Sequence, residues 1–224
     1  MTEDAMELTE VELAENPDPR CPVVLLLDKS SSMTGAKIAA LNAGLPIFAK
    51  ETLADHLASR RVEVAVVAFD SGVTVVQDFV TIDHFEPPVL TAQGCTTMGA
   101  GIEKALDLLE ARKAIYRAAG TIYYRPWILL ITDGAPTDSV EQAAKRVHES
   151  EEMGKVCFFA VGVDGADFTR LAQIAVRAPL KLTGLKFSEF FLWLGRSMQA
   201  IAQSQVGQQV ALPATTGWGT TGTP

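Results

Sequence analysis

The sequence has no hydrophobic run long enough to cross a membrane. Its longest uninterrupted apolar stretches are far shorter than the roughly 20 residues that a membrane-spanning helix needs. The first ten residues, MTEDAMELTE, are acidic and lack the basic and apolar regions of a signal peptide. Hydrophobic residues make up 48% of the 224 residues and charged residues 21%, which is typical of soluble domains. We therefore expect a soluble, cytoplasmic protein with one sizeable core.

Cysteine and histidine are scarce. The three cysteines, Cys21, Cys95 and Cys157, are odd in number and show no C-x-x-C spacing, which indicates buried, reduced thiols. The three histidines are scattered along the chain. Neither a zinc site nor a Ser-His-Asp triad can therefore be assembled from residues that are close in sequence.

The sequence also lacks a basic stripe. Residues 1–20 hold seven acids and one base, so this segment alone carries −6 of the net charge of −8. An acidic segment repels phosphate backbones, and the rest of the chain is nearly balanced in charge. This distribution argues against nucleic-acid binding.

Oxygen-bearing side chains follow the apolar run Val23–Leu27. The run ends in Asp28, and Ser30 and Ser32 follow at a spacing of two residues. A Val/Leu run of this length is typical of a strand buried on both faces, and a helical pattern begins after Met33. The three polar side chains are thus predicted on a loop at the carboxyl end of a strand, where open α/β sheets bind ligands. Such oxygens suit a hard divalent cation, whereas a Ser or Asp before a helix is often only an N-cap.

Strands alternate with helices along the chain. Two β-rich runs, Val62–Phe69 and Val73–Val80, predict a hairpin that adds one antiparallel edge strand. Pro46 predicts a kink or a break in the helical pattern Gly35–Leu57. The alternation predicts an α/β fold: a doubly wound, mostly parallel central sheet with helices on both faces. The further predicted elements are a helix from Met98 to about Tyr116, a strand Trp127–Thr132, a helix capped by Asp138 or Ser139 that ends near Met153, a strand Lys155–Val163, a helix Phe168–Arg177, a short strand Leu180–Leu182 and a last helix Phe187–Ile201.

The composition divides the chain into three parts. Residues 1–19 are predicted to be an acidic N-terminal segment, in which Met6–Val11 alternates weakly, and residues 20–203 to be the folded domain. Residues 204–224 contain no charge and are rich in Gly, Thr and Gln, which predicts a flexible tail. Trp218 in this tail could anchor to a partner, but an exposed tail aromatic more often has no function.

Two further loops supply oxygens to the same edge of the predicted sheet. Thr96 precedes the Met98 helix, and Asp133 follows the strand Trp127–Thr132. Together with Asp28, Ser30 and Ser32 they would form an all-oxygen site with a charge of roughly −2, which balances one divalent cation. Helix N-termini at this edge also favour an anion beside the cation.

This arrangement resembles the von Willebrand factor type A domains. Their metal-ion-dependent adhesion site combines D-x-S-x-S, a distant Thr and a distant Asp that is followed by Gly. The corresponding residues are Asp28, Ser30, Ser32, Thr96 in GCTTMG, with Thr97 as the alternative threonine, and Asp133 in ITDGAPTD. Two stretches, ENPDPRCPVVLLLD and WILLITDGAPTD, further resemble the bacterial TerY-like subgroup that is linked to tellurite and toxic-anion resistance.

The resemblance implies a Rossmann-like fold and a binding module. The implied cation is Mg²⁺, with Ca²⁺ or Mn²⁺ as alternatives, and an Asp or Glu of a protein partner completes its coordination. Two departures from the family pattern are Ser31, where Gly is common, and Lys29 in the variable position. Lys29 is expected to point away from the site, because the alternation that brings Asp28 and Ser30 together sends it elsewhere.

Three other functions fit these residues less well. A phosphotransfer enzyme could use Asp28 as the phosphoacceptor, but the second Asp of haloacid-dehalogenase-type phosphatases is replaced by Ser30. Dinucleotide binding is disfavoured because Gly99 and Gly101 lack a third glycine and do not follow the first strand. A purely structural domain with a vestigial site is disfavoured because folding does not require this combination of five residues.

Overall fold

One mixed β-sheet forms the centre of the fold. The computed structural model describes residue 13 and residues 16–222. The strands are β1 Cys21–Asp28, β2 Val62–Phe69, β3 Val73–Thr81, β4 Trp127–Thr132, β5 Cys157–Gly162, β6 Leu180–Leu182 and β7 Gly219–Thr221. Their order across the sheet is β3-β2-β1-β4-β5-β6-β7. All neighbours are parallel except the two edge pairs β2–β3 and β6–β7. The predicted doubly wound sheet with an antiparallel edge strand at β3 is confirmed, and β7 adds a second antiparallel edge strand where only one was predicted.

Helices cover both faces of the sheet. Within the described residues they are α1 Ala36–Leu53, α2 His56–Arg61, α3 Met98–Ala118, α4 Glu141–Glu152, α5 Phe168–Ile174 and α6 Phe187–Ala202. Helices α1, α2 and α6 pack on one face, and α3, α4 and α5 pack on the other. No helix in the described part of the chain is both long and apolar enough to span a membrane.

Strand β1 lies in the interior of the sheet, and its side chains are apolar on both faces. Val23, Leu25 and Leu27 face the core under α1 and α6, while Val24 and Leu26 face the core under α3. All five are fully buried, and each contributes roughly 1.5–3 kcal/mol of burial free energy. The predicted doubly buried strand is confirmed.

Helix α1 continues through Pro46, so of the kink or break predicted there, the break is wrong. Pro46 removes a backbone donor, which costs about 3 kcal/mol in a helix interior. The helix is retained because Leu45 and Phe48 are completely buried and because Gly44 packs against α6. The interruption comes instead after Leu53, where the Asp55 side chain accepts the backbone N–H groups of residues 57 and 58 and thereby starts α2.

The C-terminal segment is folded against the domain, which corrects the prediction of a flexible tail. Trp218 is only 2% exposed and packs on Phe190 and Trp193 of α6, at ring-centroid distances of 5.0 and 5.1 Å. The indole N–H of Trp193 donates to the carbonyl of Pro213 at 2.7 Å. Strand β7 then pairs with β6. Trp218 is therefore a core residue, because aromatic burial orders a segment whose composition alone suggested disorder.

The N-terminal end of the described chain is attached to the body by ion pairs. Asp18 contacts Arg60 at 2.7 Å and Arg61 at 3.2 Å. These guanidinium groups hold the pKa of Asp18 below its usual value, with the Arg60 hydrogen bond as the largest cause. The predicted alternation at Met6–Val11 lies outside the described residues, and the division of the chain at residues 19 and 203 stays a prediction.

The three cysteines have different environments. All are free thiols, but only Cys21 is buried; Cys157 is half-buried and Cys95 is exposed. The prediction of a buried thiol is therefore wrong for Cys95, because its side chain lies on the loop before α3 and faces solvent. Burial raises the pKa of the Cys21 thiol to about 12.

The sheet order places one crevice at the carboxyl ends of β1 and β4. Strand β1 lies between β2 and β4, so the chain leaves it in opposite directions on its two sides. In doubly wound sheets the loops separate at such a point and leave an opening for ligands. The loops that begin at Lys29 and at Asp133 border this crevice.

Candidate functional site

Asp28 occupies the end of β1 and is completely buried. Its Oδ1 atom accepts the backbone N–H of Ser30 at 2.8 Å, and its Oδ2 atom accepts the hydroxyl of Thr132 at 2.5 Å. Burial raises the pKa of the Asp28 carboxyl, the nearby Asp133 charge adds to this effect, and the hydrogen bonds from Ser30 and Thr132 oppose it. The carboxylate is thus fixed in orientation, and its charge is costly to the metal-free fold.

A continuous chain of polar contacts connects the first loop to the second. The Ser30 and Ser32 hydroxyl oxygens lie 2.9 Å apart, and Ser32 donates to Oδ1 of Asp133 at 2.5 Å. Ser30 directly precedes a 3₁₀ turn at Ser31–Met33, and Ser32 lies within that turn. Hydrogen bonds therefore link four of the five predicted site residues, namely Asp28, Ser30, Ser32 and Asp133.

Thr96 joins this cluster at Gly134. A Cβ atom at Gly134 would lie 3.4 Å from Oγ1 of Thr96 and 3.5 Å from Oγ of Ser32, so both hydroxyls border the same small space. The Thr96 backbone is held by Thr137, which accepts its N–H at 3.2 Å and donates to its carbonyl at 2.9 Å. The structure thus brings all five predicted residues to one place.

Asp138 fixes the start of α3 rather than capping α4. Its carboxylate accepts the backbone N–H groups of Gly99 at 3.0 Å and Ala100 at 2.9 Å. Helix α4 begins after Val140 without a side-chain cap, so the predicted cap by Asp138 or Ser139 is wrong. The carboxylate satisfies the free N–H groups of a neighbouring helix, which ties the loop after β4 to the loop before α3.

Thr97 and Lys29 point away from the cluster. The Thr97 hydroxyl donates to the carbonyl of Asp70 at 3.0 Å, so the first threonine of the pair, not the alternative, faces Ser32. The Lys29 ammonium forms an ion pair with the Asp70 carboxylate. The hydrogen bond from Lys29 is the largest cause of the lowered pKa of Asp70. The predicted outward orientation of Lys29 is confirmed.

Lys37 belongs to the site although the sequence reasoning missed it. Its ammonium donates to Oδ2 of Asp133 at 2.5 Å and to the carbonyl of Asp164 at 2.8 Å. A base in the first turn of α1 is unfavourable to the helix dipole unless an acid lies nearby. The position of Lys37 at the start of a helix could have indicated a nearby acid, but only the folded chain shows that this acid is Asp133.

The donor set fits a hard divalent cation. It consists of two carboxylates and three hydroxyls, and Lys37 offsets one of the two negative charges. Within the described residues, no group of three or more His, Cys, Asp and Glu side chains could hold a metal ion. A cation at this crevice would therefore depend on the serine and threonine oxygens as much as on the acids.

Comparison with known protein families identifies the family of the domain. The sequence profile of the von Willebrand factor type A domain matches residues 23–183. The chain belongs to this family. No curated protein matches this type A domain.

Solved structures share the fold of this type A domain. A von Willebrand factor type A protein from Catenulispora acidiphila is 20% identical with a TM-score of 0.62, over 82% of this chain and 43% of that one. The pilus adhesin SpaC from Lactobacillus rhamnosus GG is 15% identical with a TM-score of 0.66, over 82% of this chain and 31% of that one. Proximal thread matrix protein 1 from the mussel byssus, with a zinc-occupied MIDAS motif, is 19% identical with a TM-score of 0.54, over 81% and 48%. The chain thus spans less than half the length of these structures.

Proposed function

We propose that this type A domain is a metal-dependent protein-binding module. Its five site residues, Asp28, Ser30, Ser32, Thr96 and Asp133, would hold one divalent cation, and an Asp or Glu of a partner would complete the coordination. The observation that carries this proposal is the run of contacts from Asp28 through the two serines to Asp133 at the crevice. Four of these polar side chains are buried, Ser32 is exposed, and the five come from three separate loops.

Mg²⁺ is the proposed cation, with Ca²⁺ and Mn²⁺ as alternatives. All five side chains offer oxygen, which hard divalent cations prefer. The similar mussel protein carries zinc in its MIDAS motif, which supports a divalent site in this place on the fold. The protein ligands leave the cation only partly neutralised because Lys37 shares Asp133, and this favours an acidic partner.

Binding is favoured over turnover. Asp28 would have to attack a phosphoryl group in a phosphotransfer enzyme, but it is fully buried and both of its oxygens accept hydrogen bonds. SpaC, one of the structural neighbours, is a pilus adhesin and therefore also a binding protein. We therefore propose that the domain is not an enzyme.

The TerY-like resemblance supplies the proposed context. The stretch ENPDPRCPVVLLLD ends with β1, and WILLITDGAPTD contains β4 and the loop after it. We propose that the domain acts in the bacterial cytoplasm, in a stress system of the tellurite-resistance type, without binding nucleic acid or membranes.

Thermal unfolding with Mg²⁺, Ca²⁺, Mn²⁺ or a chelator tests the metal site. A cation at 100 times its dissociation constant should stabilise the domain by about 2.7 kcal/mol, because it binds only the folded state. Asp133→Ala should abolish this stabilisation. The matched control Asp83→Ala removes an exposed carboxylate from the 3₁₀ turn after β3 and should retain this stabilisation. Equal melting temperatures with cation and with chelator in the wild type would contradict the proposal.

Capture of partners from the native cell tests the acidic ligand. Proteins retained by the wild-type domain with Mg²⁺ should be lost with chelator and with Asp133→Ala. Replacing the contacting Asp or Glu of a captured protein by Asn or Gln should then release it. A partner that binds equally well in chelator would show that recognition does not pass through the cation.

A further inference from the structure

A large cavity lies at the end of the sheet opposite the candidate metal site. Its volume is about 1080 Å³, which is enough for a small organic ligand. Trp127 and Cys157, the first residues of β4 and β5, pair in register and both line it. Asp133 follows the last residue of β4, so the two sites are separated by the strand length of roughly 17–20 Å.

The lining of this cavity is strongly basic in a protein that is acidic overall. Only two carboxylates accompany its basic groups: Glu110 pairs with Lys113, and Glu151 pairs with Arg125 and Arg177. Five positive charges against two negative charges leave a local excess of +3, whereas the whole chain carries −8. The basic side chains that line the cavity are Lys113, Arg117, Arg125, Lys155 and Arg177.

The negative ends of the helix dipoles offset only part of this excess of positive charge. The C-terminal ends of α3, α4 and α6 lie at the same end of the sheet, and Arg117 belongs to the last turn of α3. Each helix end is equivalent to roughly −0.5 charge, so the three together offset about half of the excess. A positive charge of roughly 1.5 therefore remains for an external anion.

Two of the basic side chains are available to bind a ligand. Among residues 16–222, neither the Arg117 guanidinium nor the Lys155 ammonium forms a hydrogen bond or an ion pair, and both side chains are exposed. Lys113 lies one turn before Arg117 on α3, and its ammonium contacts the Lys155 carbonyl at 3.4 Å. The two unpaired cations therefore lie on neighbouring parts of one wall.

Aromatic rings form another part of the lining. Phe159 is half-buried and packs at a tilt of 39° against Trp127, with ring centroids 4.4 Å apart. Its centroid lies 5.3 Å from the Arg177 guanidinium. Tyr123 is also half-buried and packs on Tyr116 at 5.2 Å. Rings held in fixed positions beside cations suit a ligand with a planar, apolar body and an anionic group.

We propose that this cavity binds a small organic anion that combines a planar ring with a phosphate or carboxylate group. Arg117 and Lys155 hold the anionic group, and Tyr123 and Phe159 contact the ring. This site is independent of the proposed metal site, since no residue is shared between them.

Isothermal titration calorimetry at low ionic strength tests the proposal. Adenosine 5′-monophosphate and phenyl phosphate are the probes, and adenosine and inorganic phosphate supply the ring and the anion separately. At least one probe should bind the wild-type chain more tightly than about 1 mM and more tightly than either half. The double variant R117Q/K155Q should bind at least tenfold more weakly, because it loses two charge-assisted contacts.

Two control variants make the result specific. Lys104→Gln removes an exposed base from the same helix, α3, outside the cavity and should leave the affinity within about twofold. Asp133→Ala should also leave it unchanged, so failure of the metal site cannot imitate failure of this one. Wild-type affinities weaker than about 1 mM for both probes, or equal affinities in the wild type and the folded double variant, would overturn the proposal.

Discussion

Lys37 is expected to lower the affinity of the proposed site for divalent cations. Its ammonium lies 2.5 Å from Oδ2 of Asp133 and also donates to the carbonyl of Asp164. A cation that uses Asp133 fully must displace this contact. Lys37→Met removes the competing charge while it keeps much of the side-chain volume, so it should tighten binding.

The size of the effect follows from the environment of the ion pair. The Asp133 side chain is fully buried and the Lys37 side chain is 26% exposed, so solvent screens the pair only in part. A hydrogen bond to a charged group contributes about 1.5–3 kcal/mol, below the ~4 kcal/mol of a unit charge pair at 4 Å in a medium of dielectric constant 20. Since 1.4 kcal/mol is tenfold, Lys37→Met should increase the affinity by roughly 10-fold to 150-fold.

Titration with Mn²⁺, followed by calorimetry, measures this change directly. Lys29→Met is the matched control: it removes the same charge from the loop that holds Ser30 and Ser32, but its ammonium pairs with Asp70 outside the site. Its affinity should stay within about twofold of the wild type. An unchanged affinity in Lys37→Met would refute the reasoning, because it would show that the Asp133 carboxylate can contact the lysine and the cation together with no loss of binding free energy.

Three further predictions concern stability and reactivity. Burial raises the folded-state pKa of Asp28 above its ordinary value of 3.8, so the metal-free fold loses stability as the pH rises from 3.8 through the raised pKa. Asp28→Asn should therefore increase the melting temperature in chelator at neutral pH, and an unchanged or lower value would contradict this. Trp218→Ala should cost about 3–5 kcal/mol in urea unfolding, because it empties a buried indole site, whereas a flexible tail would cost nothing. Iodoacetamide should label the exposed Cys95 in the native state and should label Cys21, with a pKa of about 12, only after unfolding; equal native rates would be inconsistent with this burial.

The amino-acid sequence by itself determined the layered sheet and the positions of the site residues along the chain. The run before Asp28 is apolar on both faces, so it can bury both of them only in a sheet that helices cover on both sides. The strand before Asp133 has the same apolar pattern. Because parallel strands end at one edge, both acids are delivered to that edge before any tertiary detail is known. Local propensity and strand direction depend on residues that are close together in the chain, so they can be predicted from the sequence without knowledge of the fold.

Tertiary structure decided the partners of these residues. Lys37 reaches Asp133 across 96 positions of the chain, and Asp138 caps a helix that begins 40 positions earlier, at Met98. The composition of the C-terminal segment favours disorder, but Trp218 is ordered because it packs on Phe190 and Trp193. These two rings form an apolar surface only when α6 is in its folded position. Such contacts depend on distances between segments remote in sequence, and burial in them outweighs the weak local preferences of a polar, glycine-rich segment.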